Sequence, residues 1–250
     1  MVYIGTAGWA IPRPVAERFP ADGSCLARYS VVLPCSEINS TFRHEHRPST
    51  YARWAATTPP GFRFAVKLPH GITHARRLVG ATDPLERFLG DVAGLGGRLG
   101  PLLVQLPGSF AFAPRVVDTF FAVLRRRFRG SVVCEPRHPD WFGPAAERIY
   151  QRYRIGRVGA DPARVIGADR PGGWLGDAAA RGVAYFRWHG SPVVYRSSYP
   201  GKHLARWASV VREWSQRCDC WCVFDNTASG AAAANALDLA ALVAEPLATG

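Results

Sequence analysis

Apolar residues fall into eight short runs along the chain, and each run carries a polar side chain at or next to its end. The runs are YIGT (3–6), CSEIN (35–39), FRFAVK (62–67), LLVQL (102–106), VVCEP (132–136), GRVGAD (156–161), VAYFRWH (183–189) and CWCVFDN (220–226). Several are continuously apolar, as parallel strands covered on both faces are. Between them the pattern turns helical. Helices are predicted over 49–57 with Ser49 as cap, 82–97 opening on Thr82, Asp83 and Pro84, and 115–127. Others are predicted over 144–153, 203–215 and 230–243, the last after a Ser229 cap. The stretch 162–181 is the least regular and reads as a long loop with a short helix.

Strand and helix alternate eight times. Each parallel crossover needs a helix, so the pattern predicts an α/β chain folded as one (β/α)8 TIM-type barrel over residues 1–250. An open doubly wound sheet is the runner-up. It would carry a glycine-rich phosphate loop after its first strand, and GTAGW lacks that fingerprint.

A parallel barrel gathers its strand ends at one mouth, where such folds keep their sites. The ends supply Thr6, Glu37, Asn39, Lys67, Gln105, Glu135, Arg137, His138, Asp161, Arg187, His189, Asp225 and Asn226. Glu37 and Asn39, Glu135 and Arg137, and Arg187 and His189 are each two apart and share a strand face. The formal charges nearly balance: Glu37, Glu135, Asp161 and Asp225 stand against Lys67, Arg137 and Arg187. A site for several divalent cations would be more acidic. The expectation is therefore acid–base and electrostatic chemistry with no cofactor. One divalent metal held by Glu135, Asp161, His189 or Asp225 stays open. The competing reading is that the ends merely pair with one another. Lys67 is notable because arginine is the usual cation here. A buried amine shifts its pKa and serves proton transfer or Schiff-base chemistry, unless it simply pairs with Glu37 or Glu135.

Composition adjusts this picture. The net charge is +12 and the sequence pI about 10.0, which favours an anionic small molecule or nucleic acid as partner. Yet Lys67 and Lys202 are the only lysines, so the excess is arginine, which fits a GC-rich coding bias. The densest run, RRRFR at 125–129, closes a helix, where cations suit the negative end. The loops RWHGSP (187–192) and DNTASG (225–230) offer backbone amides either for phosphate or for turns. Trp9, Trp141, Tyr195 and Tyr199 are candidate aromatic walls. Three of the six cysteines alternate in CDCWC and read as small buried hydrophobes rather than zinc ligands. No basic-then-apolar leader opens the chain and no apolar stretch is long enough to cross a bilayer. A cytoplasmic protein away from membranes is expected. No feature names an oligomeric state.

The motifs GTAGW, SEINSTFR, FRFAVKLPHGITH, LGPLLVQLPGSF, VCEPRHPDW, YFRWHG and VFDNTASGAAAANA resemble, in order, those of the YecE-like family, a domain-of-unknown-function family. The resemblance covers nearly the whole chain and implies a TIM-type barrel but no settled reaction. Carried over by position, it implies mouth residues Glu37, Asn39, Lys67, His74, Gln105, Glu135, Arg137, His138, Trp141, Arg187, His189 and Asn226. The chain departs from the pattern at Arg43 and His44, where the family commonly has Tyr. It departs again at Asp225, where asparagine is common, and at Ala10 and Ile11, where an aromatic follows the first motif.

Together these readings assign catalytic roles to Glu37, Lys67, Glu135, His138 and His189. They assign substrate binding to Asn39, His74, Gln105, Arg137, Trp141, Arg187, Tyr195 and Asn226. The expected function is an enzyme acting on a phosphorylated or nucleotide-containing substrate. A non-catalytic nucleic-acid-binding protein and a metal-dependent phosphoester hydrolase are the alternatives.

Overall fold

The computed structural model describes residues 1–245. Its strands are Val2–Ala7 (β1), Cys35–Ile38 (β2), Arg63–Lys67 (β3), Leu99–Gln105 (β4) and Val132–Glu135 (β5). Then come Ile155–Arg157 (β6), Gly159–Asp161 (β7), Gly172–Gly173 (β8), Val183–Trp188 (β9) and Asp219–Phe224 (β10). They hydrogen-bond in the order β7-β9-β10-β1-β2-β3-β4-β5-β6-β8. β6 and β7 are two halves of one strand broken at Val158. The first half pairs with β5 and the second with β9, so the sheet closes on itself as a TIM-type barrel. The pairings around the ring are parallel; only the small β8 runs antiparallel, against β6. Closure removes the open doubly wound alternative.

Among the described residues, seven α-helices lie outside the barrel: Cys25–Ser30 (α1), Pro48–Thr57 (α2), Thr82–Val92 (α3), Pro114–Arg127 (α4), Pro144–Arg152 (α5), Gly201–Ser215 (α6) and Ala231–Ala244 (α7). Proline opens α2, α4 and α5, where its missing N–H costs nothing and its fixed φ suits the first turn. Three expectations are corrected. Arg47, not Ser49, holds the cap position of α2, because Pro48 already starts the helix. Gly230, at φ 80°, precedes α7, while the Ser229 hydroxyl donates to the Arg196 carbonyl. The helix expected over 82–97 ends at Val92 and continues as a 3-10 turn, because Gly96 leaves helical geometry.

A fourth correction concerns residues 162–181, which hold no helix. β8 and a bridge between Gly176 and Arg181 organise this segment instead. The sixth strand is thus the one without a covering α-helix, and Asp177 braces the segment by accepting from the amides of Ala179 and Ala180.

Two apolar layers explain the strand pattern. Alternate residues face the helices, where Ile38, Val66, Val104, Cys134 and Phe224 join the outer core. The others face the barrel axis, where Cys35, Ala65, Leu103, Val133, Tyr185, Trp221 and Val223 pack together. Trp221 lies flat against Tyr185, and its ring occupies the space a side chain at Gly100 would need. Cys218, Cys220 and Cys222 are buried free thiols on the helix-facing side. Among the described residues, no helix is long and apolar enough to cross a membrane.

Candidate active site

Period two carries each axis-facing row to a polar or charged residue at the C-terminal end of the barrel. Two residues beyond Cys35 stands Glu37; beyond Ala65, Lys67; beyond Leu103, Gln105; beyond Val133, Glu135; beyond Tyr185, Arg187; beyond Val223, Asp225. All six side chains are buried at this mouth.

Arg187 is the hub. Its Nε and Nη2 donate to Glu37 at 3.0 and 2.8 Å, its Nη1 to Glu135 at 3.1 Å, and Nη2 lies 2.9 Å from Asp225. One guanidinium fork thus serves three carboxylates, a geometry a lysine cannot reproduce. Tyr185 adds a hydroxyl to Glu37 at 2.9 Å. Arg137 donates to Glu135 through Nε at 3.0 Å and Nη2 at 2.8 Å. His189 bridges the remaining gap, with Nε2 3.1 Å from Glu135 and Nδ1 3.0 Å from Asp225. Both ring nitrogens face carboxylate oxygens. The bridge therefore needs a proton on each nitrogen, or one on a carboxyl group.

Burial alone would raise the pKa of Glu135. Arg137, His189 and Arg187 outweigh it and hold the carboxyl well below its ordinary range. Asp225 is likewise lowered: burial opposes ionisation, but Arg187 and His189 override it. Both carboxylates are thereby held as anions.

Lys67 differs. It is buried, yet among the described residues no carboxylate lies within ion-pair distance of its ammonium. Its nearest described partner is an aromatic face: Nζ sits 3.9 Å from the centroid of Phe42. Burial, with Arg187 adding repulsion, pulls its pKa down to about 8 against the attraction of Glu37, Glu135 and Asp225. His74 flanks the same ring, 4.8 Å from Phe42 and stacked on His70. Burial, together with His70, Lys67, Arg137 and Arg43, pulls it down to about 4, so it is a neutral imidazole at neutral pH.

Other expected site residues are placed differently. His138 caps the turn Pro139–Phe142, accepting from the Asp140 amide and lying 3.5 Å from the Asp140 carboxylate, away from the charged ring. Trp141 is fully buried, donates to the Phe110 carbonyl at 2.7 Å and packs on Phe112, so it supports the wall from behind. Gln105 donates to the Leu106 carbonyl. Tyr195 is 42% exposed at φ 67° and sets its ring edge-on to His189 at 5.7 Å, which leaves it at the rim. Tyr199 is committed to Asp161, donating at 2.7 Å, and Trp9 packs on Trp54. Asn226 donates to Ser197 and Asn235. The Oδ1 atoms of Asn39 and Asn226 are buried without a hydrogen-bond partner.

The last two loops resolve as turns. The amides of Gly190 and Val193 donate to Tyr199 and Ser197, and those of Ala228 and Gly230 to Tyr195 and Thr227. In the basic run, Arg125 donates to the carbonyls of Tyr153, Gly130 and Arg154, and Arg127 pairs with Glu86. Among the described residues, no three His, Cys, Asp or Glu side chains form a metal-ligand set. A cavity of about 460 Å³ flanks the mouth, lined in part by Phe42, Arg43, His70, Tyr51 and Phe88. Phe42 belongs both to this cavity and to the Lys67 contact.

Tyr185 and Phe42 are functional neighbours that sequence reasoning missed. Tyr185 stands two before Arg187 on the same strand face, so alternation points to it. Phe42 lies in the SEINSTFR motif, but no periodicity places it over Lys67, because a turn, not a strand, brings it there.

Fold and site define a TIM-type barrel with a charged, mostly self-paired ring at its C-terminal mouth. Comparison of the chain with known proteins sharpens that class. The chain belongs to the family described as "Protein of unknown function DUF72", which it matches over residues 3–249. It is 31% identical over 180 residues to the UPF0759 protein YecE of Escherichia coli (strain K12). That match takes in 68% of this chain and 62% of the relative, so the chain spans under two thirds of that relative's length. It is 24% identical over 271 residues to the UPF0759 protein YunF of Bacillus subtilis (strain 168), covering 94% of this chain and 92% of the relative. A DUF72 family protein from Thermotoga maritima superposes with a TM-score of 0.77 at 25% identity, over 98% of this chain and 100% of that one. The 3-keto-D-glucoside 4-epimerase YcjR from E. coli shares the fold, with a TM-score of 0.54 at 15% identity over 97% and 99% of the two chains.

Proposed function

We propose that this chain is an enzyme that takes a small anionic substrate at the barrel mouth and works on it by acid–base and electrostatic catalysis. The observation that carries this reading is the isolation of Lys67. In a ring where every described carboxylate is claimed by arginine, tyrosine or histidine, one buried amine has no anion of its own. A structural lysine would be paired or would reach water. A lysine held near its titration point beside an apolar ring is poised to exchange a proton at neutral pH.

The division of labour follows. Glu37, Glu135, Asp225, Arg187 and His189 form a rigid floor that fixes the field at Lys67. Glu135 and Asp225, held as anions, serve as positioning groups rather than as proton donors. Arg137 and Arg43, on the side of Lys67 sensed by His74, supply further positive charge for the substrate's anionic group.

The test is anion binding followed by heat. Inorganic phosphate or a panel of small phosphorylated and carboxylated metabolites is expected to raise the unfolding temperature of the wild type, and Lys67→Met to abolish the rise. A rise that survives in Lys67→Met removes the mouth as the binding site. Tight, steeply salt-dependent binding of nucleic acid by both proteins would favour the nucleic-acid reading instead.

A further inference from the structure

Lys67 has more to offer than a proton. We propose that Lys67 is a Schiff-base-forming lysine and that the substrate is a small anionic aldehyde or ketone. The inference rests on the mouth being the substrate site and names the chemistry done there.

An imine-forming amine needs a free lone pair, a barrier against water, and surroundings that tolerate a permanent cation on the same nitrogen. Lys67 meets each requirement. Among the described residues, no side chain or backbone oxygen accepts a hydrogen bond from its Nζ, so losing the proton that frees the lone pair breaks no hydrogen bond. The Phe42 face and burial keep bulk water off the nitrogen. Glu37, Glu135 and Asp225 surround Arg187 near Lys67. Exchanging the ammonium for an iminium leaves the charge at this nitrogen unchanged, so the network need not reorganise. A neighbouring cation, here Arg187, is the device by which a lysine amine is activated for this chemistry.

The step balances without an oxidant or reductant. The Nζ lone pair attacks the carbonyl carbon, and a C–N bond forms as the carbonyl π pair moves to oxygen. One of the two nitrogen protons passes to that oxygen, by way of water, and gives the neutral carbinolamine. The hydroxyl group then leaves as water with the second nitrogen proton while the nitrogen lone pair closes the C=N bond, leaving the imine. Protonation of the imine gives the iminium, which draws electrons from the adjacent carbon and prepares a C–H or C–C bond there for cleavage.

The chain makes the test clean, because its amines are Lys67, the exposed Lys202 and the chain's α-amino group. Wild-type protein is treated with glyoxylate, the smallest anionic aldehyde, and cyanoborohydride at pH 7.5, and adducts are located by peptide mass spectrometry. Lys67 is expected to be modified about tenfold or more faster than Lys202, and acetaldehyde, which lacks the charge, to show less preference for Lys67. Lys67→Arg, which keeps the cation but cannot form an imine, is expected to leave only Lys202 and the terminus labelled. Modification of Lys67 no faster than Lys202 overturns the inference. Equal preference with both aldehydes overturns its anionic half. Should trapping fail while phosphate still raises the unfolding temperature of wild type but not of Lys67→Met, the covalent step falls and the anion-binding function stands. Should both fail, the mouth is not the site.

Discussion

The Lys67 ammonium lies 3.9 Å from the centroid of the Phe42 ring, and that ring takes the place a carboxylate would hold beside an ordinary buried lysine. The aromatic face favours the charged amine by roughly 0.5–2 kcal/mol. Replacing Phe42 by leucine keeps water away but removes the ring's negative face. The Lys67 pKa in Phe42→Leu is expected to fall further, by about one unit. The pH midpoint of Lys67 modification measures it, and a midpoint that rises would mean the ring acts mainly by excluding water.

Lys67 burdens the fold at neutral pH. Its folded pKa of about 8 lies below the ordinary lysine value of 10.5, so the folded state binds the proton less well than the unfolded chain. Below about pH 8 both states carry the proton and the full penalty is present. Between 8 and 10.5 the folded state sheds it first, and stability rises with pH. Lys67→Met is therefore expected to be more stable than wild type at pH 7, by up to roughly 3 kcal/mol, with the gain shrinking toward pH 10. Urea unfolding of both proteins at pH 7 and 9.5 checks this. Such a stabilising loss marks a residue kept for activity rather than for folding.

Glu135 works in the opposite sense. Burial raises its pKa, but Arg137, His189 and Arg187 drive the folded value well below 4.5. Its contribution is fully present above the unfolded pKa and is lost as pH falls toward the folded one. Glu135→Gln is expected to cost about 3–5 kcal/mol at pH 7, because Arg137, Arg187 and His189 lose their shared anion. The gap from wild type should narrow below pH 4.5. A gap that stays constant down to pH 3 would show that Glu135 acts through packing rather than charge.

His138 and Trp141 sit beside Glu135 in sequence but not in chemistry. His138→Ala removes a turn cap and is expected to cost about 1 kcal/mol or less, with phosphate binding unchanged. Trp141→Phe loses the bond to Phe110 and some packing. It is expected to lower the unfolding temperature while leaving the phosphate-induced rise intact. Loss of that rise in either variant would return the residue to the binding site.

Much of the arrangement was legible because a strand's period of two is rigid. Once Val133 is placed on the axis, Glu135 must follow it, and the same holds for Tyr185, Arg187 and the approach to His189. The motif series pointed to the same mouth residues. What the sequence concealed depends on turns and on vacancies. The break at Val158 leaves both half-strands paired, so the run 156–161 still reads as one strand. The missing sixth helix is replaced by β8 and by side-chain braces that have no periodicity. EPRHPDW reads as one functional string, yet Pro136 and Pro139 turn its members to different sides, so that Arg137 meets Glu135 while His138 caps its own loop. That Lys67 has no carboxylate partner is a relation among several strands, and no local pattern records it.

Arg187 makes the sharpest demand on this account. One guanidinium touches Glu37, Glu135 and Asp225, and all four side chains are withdrawn from water. Removing it leaves three carboxylates facing one another with only Arg137, Lys67 and His189 to offset them. The chain must then protonate or open the mouth. Arg187→Met is therefore expected to be the most destabilising of these substitutions, at or above the roughly 3–5 kcal/mol typical of a broken buried pair. Arg187→Lys is expected to recover little, since a point charge cannot serve three acceptors that a planar fork reaches at once. Adding Glu37→Gln to Arg187→Met should restore stability, because one of the stranded anions is gone; a double variant no more stable than Arg187→Met would mean that the ring is held by packing and not by its charges.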